Sequence, residues 1–212
     1  MAGKVITVAQ QKGGAGKTTL VAHLAVALAD KGQSVAAVDI DPQQSLTSWS
    51  RLRGLQGAGS KADLTVEQVK GYRARASVEA LARCHDVVIV DSPPHMETEA
   101  RIAVRAADLV VIPVQPSPMD VWATAPTIEL AAAEHVPALV VFNRVPPRAN
   151  LTDAMRSEVK RLGVKVARAQ IGNRIAFAGA LAEGRAVVEV QPRGRAAQEM
   201  ESLAREVLRM LR

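Results

Sequence analysis

Lys12-Gly13-Gly14-Ala15-Gly16-Lys17-Thr18-Thr19 follows the apolar run Val5–Ala9 and leads into the Ala/Leu/Val-rich stretch Lys17–Lys31. That order of strand, glycines, Lys-Thr and helix decides the fold. Glycines let the backbone turn its N–H groups inward and approach an anion closely. A helix beginning near Lys17 adds its N-terminal dipole and its unpaired N–H donors. Lys17 then brings positive charge to the β- and γ-phosphates of a nucleotide, and the Thr18 hydroxyl is placed to ligate magnesium. Gly13, Gly14, Ala15, Gly16 and Thr19 complete the expected phosphate cradle.

Outward from this loop, short apolar runs alternate with helical patterns to the end of the chain. Strands are expected at Val5–Ala9, Ser34–Asp39, Val87–Asp91, Leu109–Val114, Ala138–Asn143 and Val164–Ala169. Helices are expected at Lys17–Lys31, Thr98–Ala106, Val121–Ala133, Leu151–Leu162, Arg174–Glu183 and Gly194–Leu211. Continuous Val/Ile runs suit strands covered on both faces. The expected architecture is therefore a single α/β domain over residues 1–212, a mostly parallel twisted sheet with helices on both faces. Arg51–Lys61, rich in glycine and basic residues, reads as a loop.

Two carboxylate stations follow strands. Asp39-Ile40-Asp41-Pro42-Gln43-Gln44 comes after Val35–Val38, and Asp91-Ser92-Pro93-Pro94 after Val87–Val90. Acids at the carboxyl ends of buried parallel strands face the crevice where open α/β sheets bind ligands. There they can hold magnesium through water and orient an attacking water. Asn143 ends another strand, and an amide can donate and accept at once, as the edge of adenine requires. A turn-forming asparagine is the other reading of that position.

The chain has 212 residues, 48% hydrophobic but only 2% aromatic, so one core of Ala, Val, Leu and Ile is expected. Cys84, the single cysteine, excludes a disulfide framework and reads as a small buried residue. It cannot hold an interface iron–sulfur cluster either. The four histidines show no ligand spacing and read as structural or surface residues. No signal-like N-terminal region and no long apolar run occurs, so an unprocessed cytoplasmic protein is expected. The net charge of +6 is uneven: residues 143–212 hold 14 Lys and Arg against 7 Asp and Glu, whereas residues 1–142 hold 13 against 14. A polyanion-facing surface in the last third is expected, the plainer alternative being a mixed solvated face.

Gln11 stands where the common loop G-x-x-x-x-G-K-[ST] has its first glycine, and a second lysine, Lys12, precedes the glycines. This K-G-G-x-G-K-T-T loop resembles the deviant Walker A box of the ParA/MinD superfamily of P-loop NTPases. Asp39–Gln43 resembles that family's switch I. Asp91–Pro94 resembles its Walker B and switch II, with Ser92 where Thr or Ala is usual. Pro116–Trp122, Ile171–Phe177 and Pro192-Arg193 are similar to small ParF-like ParA proteins, so the likeness spans nearly the whole chain.

The resemblance implies a switch that uses ATP and Mg2+ and has weak ATPase activity. Lys12 would reach across an ATP-bound homodimer to the partner's nucleotide, and Lys12, Lys17 and Asp41 would serve hydrolysis. Asn143 would contact adenine, and Thr18, Asp41 and Asp91 would hold the metal. Met119, Asp120 and Trp122 fall near the implied dimer interface, although Trp122 equally suits a core. Also implied are nucleoid association, non-specific duplex DNA binding and a centromere-binding adaptor or cargo protein that stimulates hydrolysis. A plasmid, a chromosome region or a protein cluster would thereby be moved. Lys160 and Arg161 lie on the helix after the Asn143 strand, and Arg174 matches a DNA-contacting arginine of related proteins. With so few aromatics there is no stacking platform for single strands, which leaves duplex phosphates.

The alternative is a MinD-like membrane-associated ATPase. Met200, Leu203, Val207, Leu208 and Leu211 form an apolar stripe at helical spacing. The opposite face mixes Glu199, Glu201 and Glu206 with Arg205, Arg209 and Arg212, unlike the basic face of a lipid anchor. The stripe is expected to cover the sheet, and a membrane is not an expected partner.

Overall fold

A computed structural model describes residues 2–55, 64–94, 97–147 and 150–212. Its strands are β1 (Lys4–Val8), β2 (Val35–Asp39), β3 (Leu64–Gln68), β4 (Val87–Asp91), β5 (Leu109–Val114), β6 (Ala138–Phe142) and β7 (Lys165–Val166). Its helices up to β6 are α1 (Lys17–Ala29), α2 (Ser45–Leu55), α3 (Ala74–Leu81), α4 (Glu97–Arg105), α5 (Pro118–Trp122) and α6 (Ala125–Ala133). After β6 come α7 (Asn150–Arg161), α8 (Ile175–Ala182), α9 (Val187–Val190) and α10 (Arg195–Met210).

The strands are parallel and form one sheet in the order β3-β2-β4-β1-β5-β6-β7. Side chains alternate between its faces, as the two-residue strand period requires. Ile6, Val8, Val35, Ala37 and Ile89 pack with α1, α2, α8, α9 and α10. Val5, Ala36, Val38 and Val90 meet α3 and α4, while Val110, Ile112, Val140 and Phe142 meet α4, α5, α6 and α7. The helices on both faces and the buried Val/Ile strands are as the sequence predicts.

β1 lies between β4 and β5, so the chain's crossovers diverge at its carboxyl end. A crevice forms at such a switch point, and α1 begins there. Register places Val8 beside Asp91 and Asp91 beside Asp39, which brings both carboxylate stations to that edge.

Several expectations are corrected. The loop expected at Arg51–Lys61 begins inside α2, whose buried side chains are only Leu46 and Trp49; residues 56–61 lie outside the described residues. β3, α3 and α9 have no counterpart among the expected elements. The helix expected at Val121–Ala133 is two helices, because Pro126 enters the first turn of α6 and cannot donate the N–H that would continue α5. Of the strand expected at Val164–Ala169, only Lys165–Val166 pairs. Cys84 is exposed, in the turn between α3 and β4, rather than buried. The C-terminal stripe packs on α1 and α9 and shares one core with that face of the sheet, as expected, burying Met200, Leu203, Val207 and Leu211. Full burial of each such side chain contributes roughly 1.5–3 kcal/mol.

Candidate nucleotide site

The loop between β1 and α1 is shaped by Gly16, the residue before the helix. Its φ of 86° lies in the left-handed region, and a Cβ there would stand 2.5 Å from Asn143 Nδ2. Only glycine satisfies both conditions. Gly13 and Gly14 are exposed, and a Cβ at either would meet nothing within 4 Å, so the loop's outer side can receive a ligand. Lys17 is buried and its Nζ donates to the Gln10 carbonyl at 3.0 Å. Burial holds the Lys17 ammonium below its ordinary pKa, against the opposing charges of Asp91 and Asp41.

Asp91 is wholly buried and neither of its oxygens has a hydrogen-bond partner. Burial pushes its carboxyl up to about 7, with the nearby Thr18 hydroxyl and the Lys17 charge pulling the other way. An unpaired buried carboxylate is expensive, and a divalent cation would resolve it. Asp91 with the Thr18 hydroxyl therefore fits Mg2+, a hard ion that takes oxygen ligands. Asp41 is half-buried, and one of its oxygens accepts the Gln43 N–H at 2.9 Å.

Asp39, which the sequence offers only as part of the first carboxylate station, and Gln10, which it does not single out, both shape the site. Asp39 accepts the Asp41 N–H at 3.1 Å, the Thr47 N–H at 2.9 Å and the Thr47 hydroxyl at 2.8 Å. It thus ties the Asp41 loop to the first turn of α2. An acid two residues before a turn, with Thr at the following helix start, was the available signal. Gln10 is buried and donates to the Thr124 hydroxyl at 3.0 Å, fixing the end of β1 beside α6. Nothing in its sequence neighbourhood marks it.

Asn143 donates from Nδ2 to the Ala15 carbonyl at 2.8 Å and accepts the Arg144 N–H at 3.0 Å. It therefore straps the glycine loop and shapes a turn in which Arg144 has a φ of 53°. An amide has two N–H groups and two lone pairs, so one of each is left for a base. Asn143 also lines a cavity of about 470 Å³ with Thr19, Leu20, His23, Arg174 and Phe177. That volume is in the range of ligand pockets.

The remaining expected residues are more dispersed. Lys12 forms an ion pair with Asp120 of its own chain, whose carboxylate also accepts the Ser117 hydroxyl. Met119 is 65% and Trp122 64% exposed, so Trp122 is not a core residue. Lys160 is exposed on α7, where Arg161 pairs with Glu158 at 2.9 Å. Arg174 donates from Nη2 and Nε to Glu199 at 2.6 and 3.1 Å.

Over residues 6–187 the chain matches the family described as the CobQ/CobB/MinD/ParA nucleotide binding domain. The maintenance of carboxysome distribution protein A of Halothiobacillus neapolitanus is 32% identical, over 96% of this chain and 95% of that protein. The sporulation initiation inhibitor protein Soj of Bacillus subtilis is 27% identical, over 97% of this chain and 98% of that protein. The cell division ATPase MinD of Pyrococcus furiosus shares the fold, with a TM-score of 0.82 at 22% identity over 98% of this chain and 99% of that one.

Proposed function

This chain belongs to the CobQ/CobB/MinD/ParA nucleotide-binding family, and from that premise we propose that it is an ATP-driven positioning switch of the ParA type. It binds ATP with Mg2+, dimerises, holds duplex DNA without reading sequence, and hydrolyses ATP slowly until an adaptor or cargo protein stimulates it. One arrangement carries this reading: buried Lys17 and unpaired Asp91 lie within reach of each other's charge at the switch point, beside a cavity of about 470 Å³ that Asn143 lines.

The loop N–H groups and Lys17 bind and orient the phosphates. Thr18 and Asp91 would hold Mg2+, which neutralises charge on the phosphate oxygens when bound. Asp41 has an oxygen free of the Gln43 contact, with which it orients the attacking water. Lys12 leaves Asp120 and crosses to the partner's nucleotide. Likeness to a carboxysome distribution protein favours a protein cluster as cargo over a plasmid or chromosome region. The α10 stripe is packed on α1 rather than presented to a bilayer, which disfavours the membrane alternative. No helix among the described residues is long and apolar enough to cross a membrane.

The test is a salt titration of duplex DNA binding with ATP and with ADP. An ATP dimer neutralising ~4–6 phosphates gives a log–log slope of about −4 to −5. Binding that ignores the nucleotide, or binding to liposomes in place of DNA, overturns the reading.

A further inference from the structure

Arg53 stands in the last turn of α2, the helix that follows the Asp39–Gln44 loop. Its two terminal nitrogens donate to Glu189 of α9 at 2.8 and 2.6 Å, and Nη1 also donates to the Gly184 carbonyl at 3.1 Å. Its guanidinium lies over Trp49, 5.6 Å from the ring centre. Both partners are nearly buried, with side chains 11% and 16% exposed. Burial pushes the Glu189 carboxyl up, but the hydrogen bonds from Arg53 and Ala186 outweigh it and hold the group below its ordinary range. Glu189 is therefore ionised at neutral pH opposite the Arg53 fork.

A second contact lies beside it. Gly184, in the turn between α8 and α9, has a φ of +64°, and a Cβ there would stand 2.7 Å from Arg53 Cα and N. The two backbones touch, and any side chain at 184 would force them apart. A desolvated ion pair adds little net stability over an apolar replacement, yet a forked guanidinium–carboxylate contact defines direction and distance closely. What it can supply here is orientation.

The object oriented is α2. At its other end, the Thr47 N–H and hydroxyl bind one oxygen of Asp39, while the other oxygen holds the Asp41 N–H. The anchor on the far side is also fixed to the nucleotide's own helix. The Val187 N–H of α9 donates to His23 Nδ1 of α1 at 3.2 Å, and the Phe177 carbonyl of α8 lies 3.1 Å from His23 Nε2.

We propose that Arg53 and Glu189 are a positioning pair for hydrolysis: they fix α2 so that the loop it anchors presents Asp41 to the reacting end of the nucleotide. Neither residue belongs to the nucleotide site itself; they act through Thr47 and Asp39. The inference rests on the reading that this site hydrolyses ATP.

Steady-state hydrolysis with Mg2+ and duplex DNA, paired with calorimetric ADP binding, tests it. Arg53→Ala is expected to lower kcat on the order of tenfold, because a misplacement of about an ångström far from the chemistry can cost up to about a hundredfold. ADP affinity stays within about threefold, since Lys17 and the loop are untouched. Arg53→Lys, which keeps the charge but not the fork, recovers part of the loss. In an Asp41→Ala background Arg53→Ala lowers kcat no further, because both changes remove the same function. If Arg53→Ala fails to fold, Glu189→Gln, nearly isosteric, carries the same comparisons. An unchanged kcat, a loss that adds fully to that of Asp41→Ala, or an equal fall in ADP affinity overturns the pair's role. A wild-type protein that does not hydrolyse ATP sinks the functional reading itself, which a hydrolysing wild type with indifferent Arg53 variants would leave standing.

Discussion

Lys12 Nζ lies 2.9 Å from Asp120 Oδ2 within the same chain. The lysine expected to serve a partner's nucleotide is held at home by a carboxylate that Ser117 also binds. Its side chain is 38% exposed, so solvent screens the pair, which is worth on the order of 0–1 kcal/mol. A contact of that size can be exchanged for a phosphate contact when two chains meet.

Asp120→Asn should therefore tighten the ATP-dependent dimer by a few fold, since an ion pair of this kind holds Lys12 back by up to about fivefold in equilibrium. Asparagine keeps the size of the residue and an acceptor for the Ser117 hydroxyl. Sedimentation with a non-hydrolysable ATP analogue measures the change. Lys12→Ala should keep nucleotide affinity and lose the dimer. Identical dimer constants for wild type and both variants would confine Lys12 to its own chain.

Asp91→Asn should stabilise the nucleotide-free protein while abolishing magnesium-dependent hydrolysis. In the fold its carboxyl sits at about 7, above its unfolded value of 3.8, chiefly because it is buried. A raised carboxyl binds its proton more tightly in the native state, so native stability falls as pH rises from about 4 through 7. The neutral amide escapes that loss. The gain in melting temperature should be large at pH 8 and small at pH 5, and Mg2+ with ATP should narrow it. A variant less stable than wild type at pH 8 would mean that the native fold already compensates the charge.

His23 should give the protein an acid-sensitive limb. Its ring accepts the Val187 N–H on Nδ1, faces the Phe177 carbonyl with Nε2, and meets the Phe177 ring edge-on at 5.1 Å. Burial lowers its pKa from 6.5 to about 4. The unfolded chain takes up a proton below 6.5 that the native state refuses, so stability present above 6.5 is lost as pH falls towards 4. The loss is about 1.4 kcal/mol per pH unit, or about 2 kcal/mol by pH 5. Urea midpoints at pH 7.5 and 5 should differ less in His23→Gln than in wild type. Equal differences would assign the acid limb to other groups.

These residues show what the sequence makes legible. The glycine loop, the buried strands and the acids at strand ends could be read because each depends on neighbours within a few positions. α2 could not, since Ser, Thr, Gly and Arg fill it and only Leu46 and Trp49 are buried. β3 is an edge strand with partly exposed residues, and α9 is four residues long. Lys12–Asp120 and Arg53–Glu189 join distant segments, 136 positions apart in the second case, and no spacing rule connects them. Trp122 is compatible with a core by its type alone, yet it stands exposed at the end of α5.

The same long-range pairing bears on DNA. Arg174, expected to meet phosphates, gives Nε and Nη2 to Glu199, which also accepts the Gly172 N–H at 3.0 Å. Its charge is already answered, and a phosphate must compete with that carboxylate. Lys160 is exposed, and among the described residues no carboxylate pairs with it. Lys160→Ala should thus remove one phosphate contact from each protomer, lowering the magnitude of the salt slope of DNA binding by up to about 2. Arg174→Ala should change that slope less. Glu199→Gln should release Arg174, steepen the slope and tighten binding at low salt, with nucleotide affinity unchanged. Slopes are read from DNA binding of the ATP-bound protein between roughly 50 and 200 mM salt. If Arg174→Ala flattens the slope more than Lys160→Ala does, the Glu199 pair opens on DNA and Arg174 is the stronger phosphate contact.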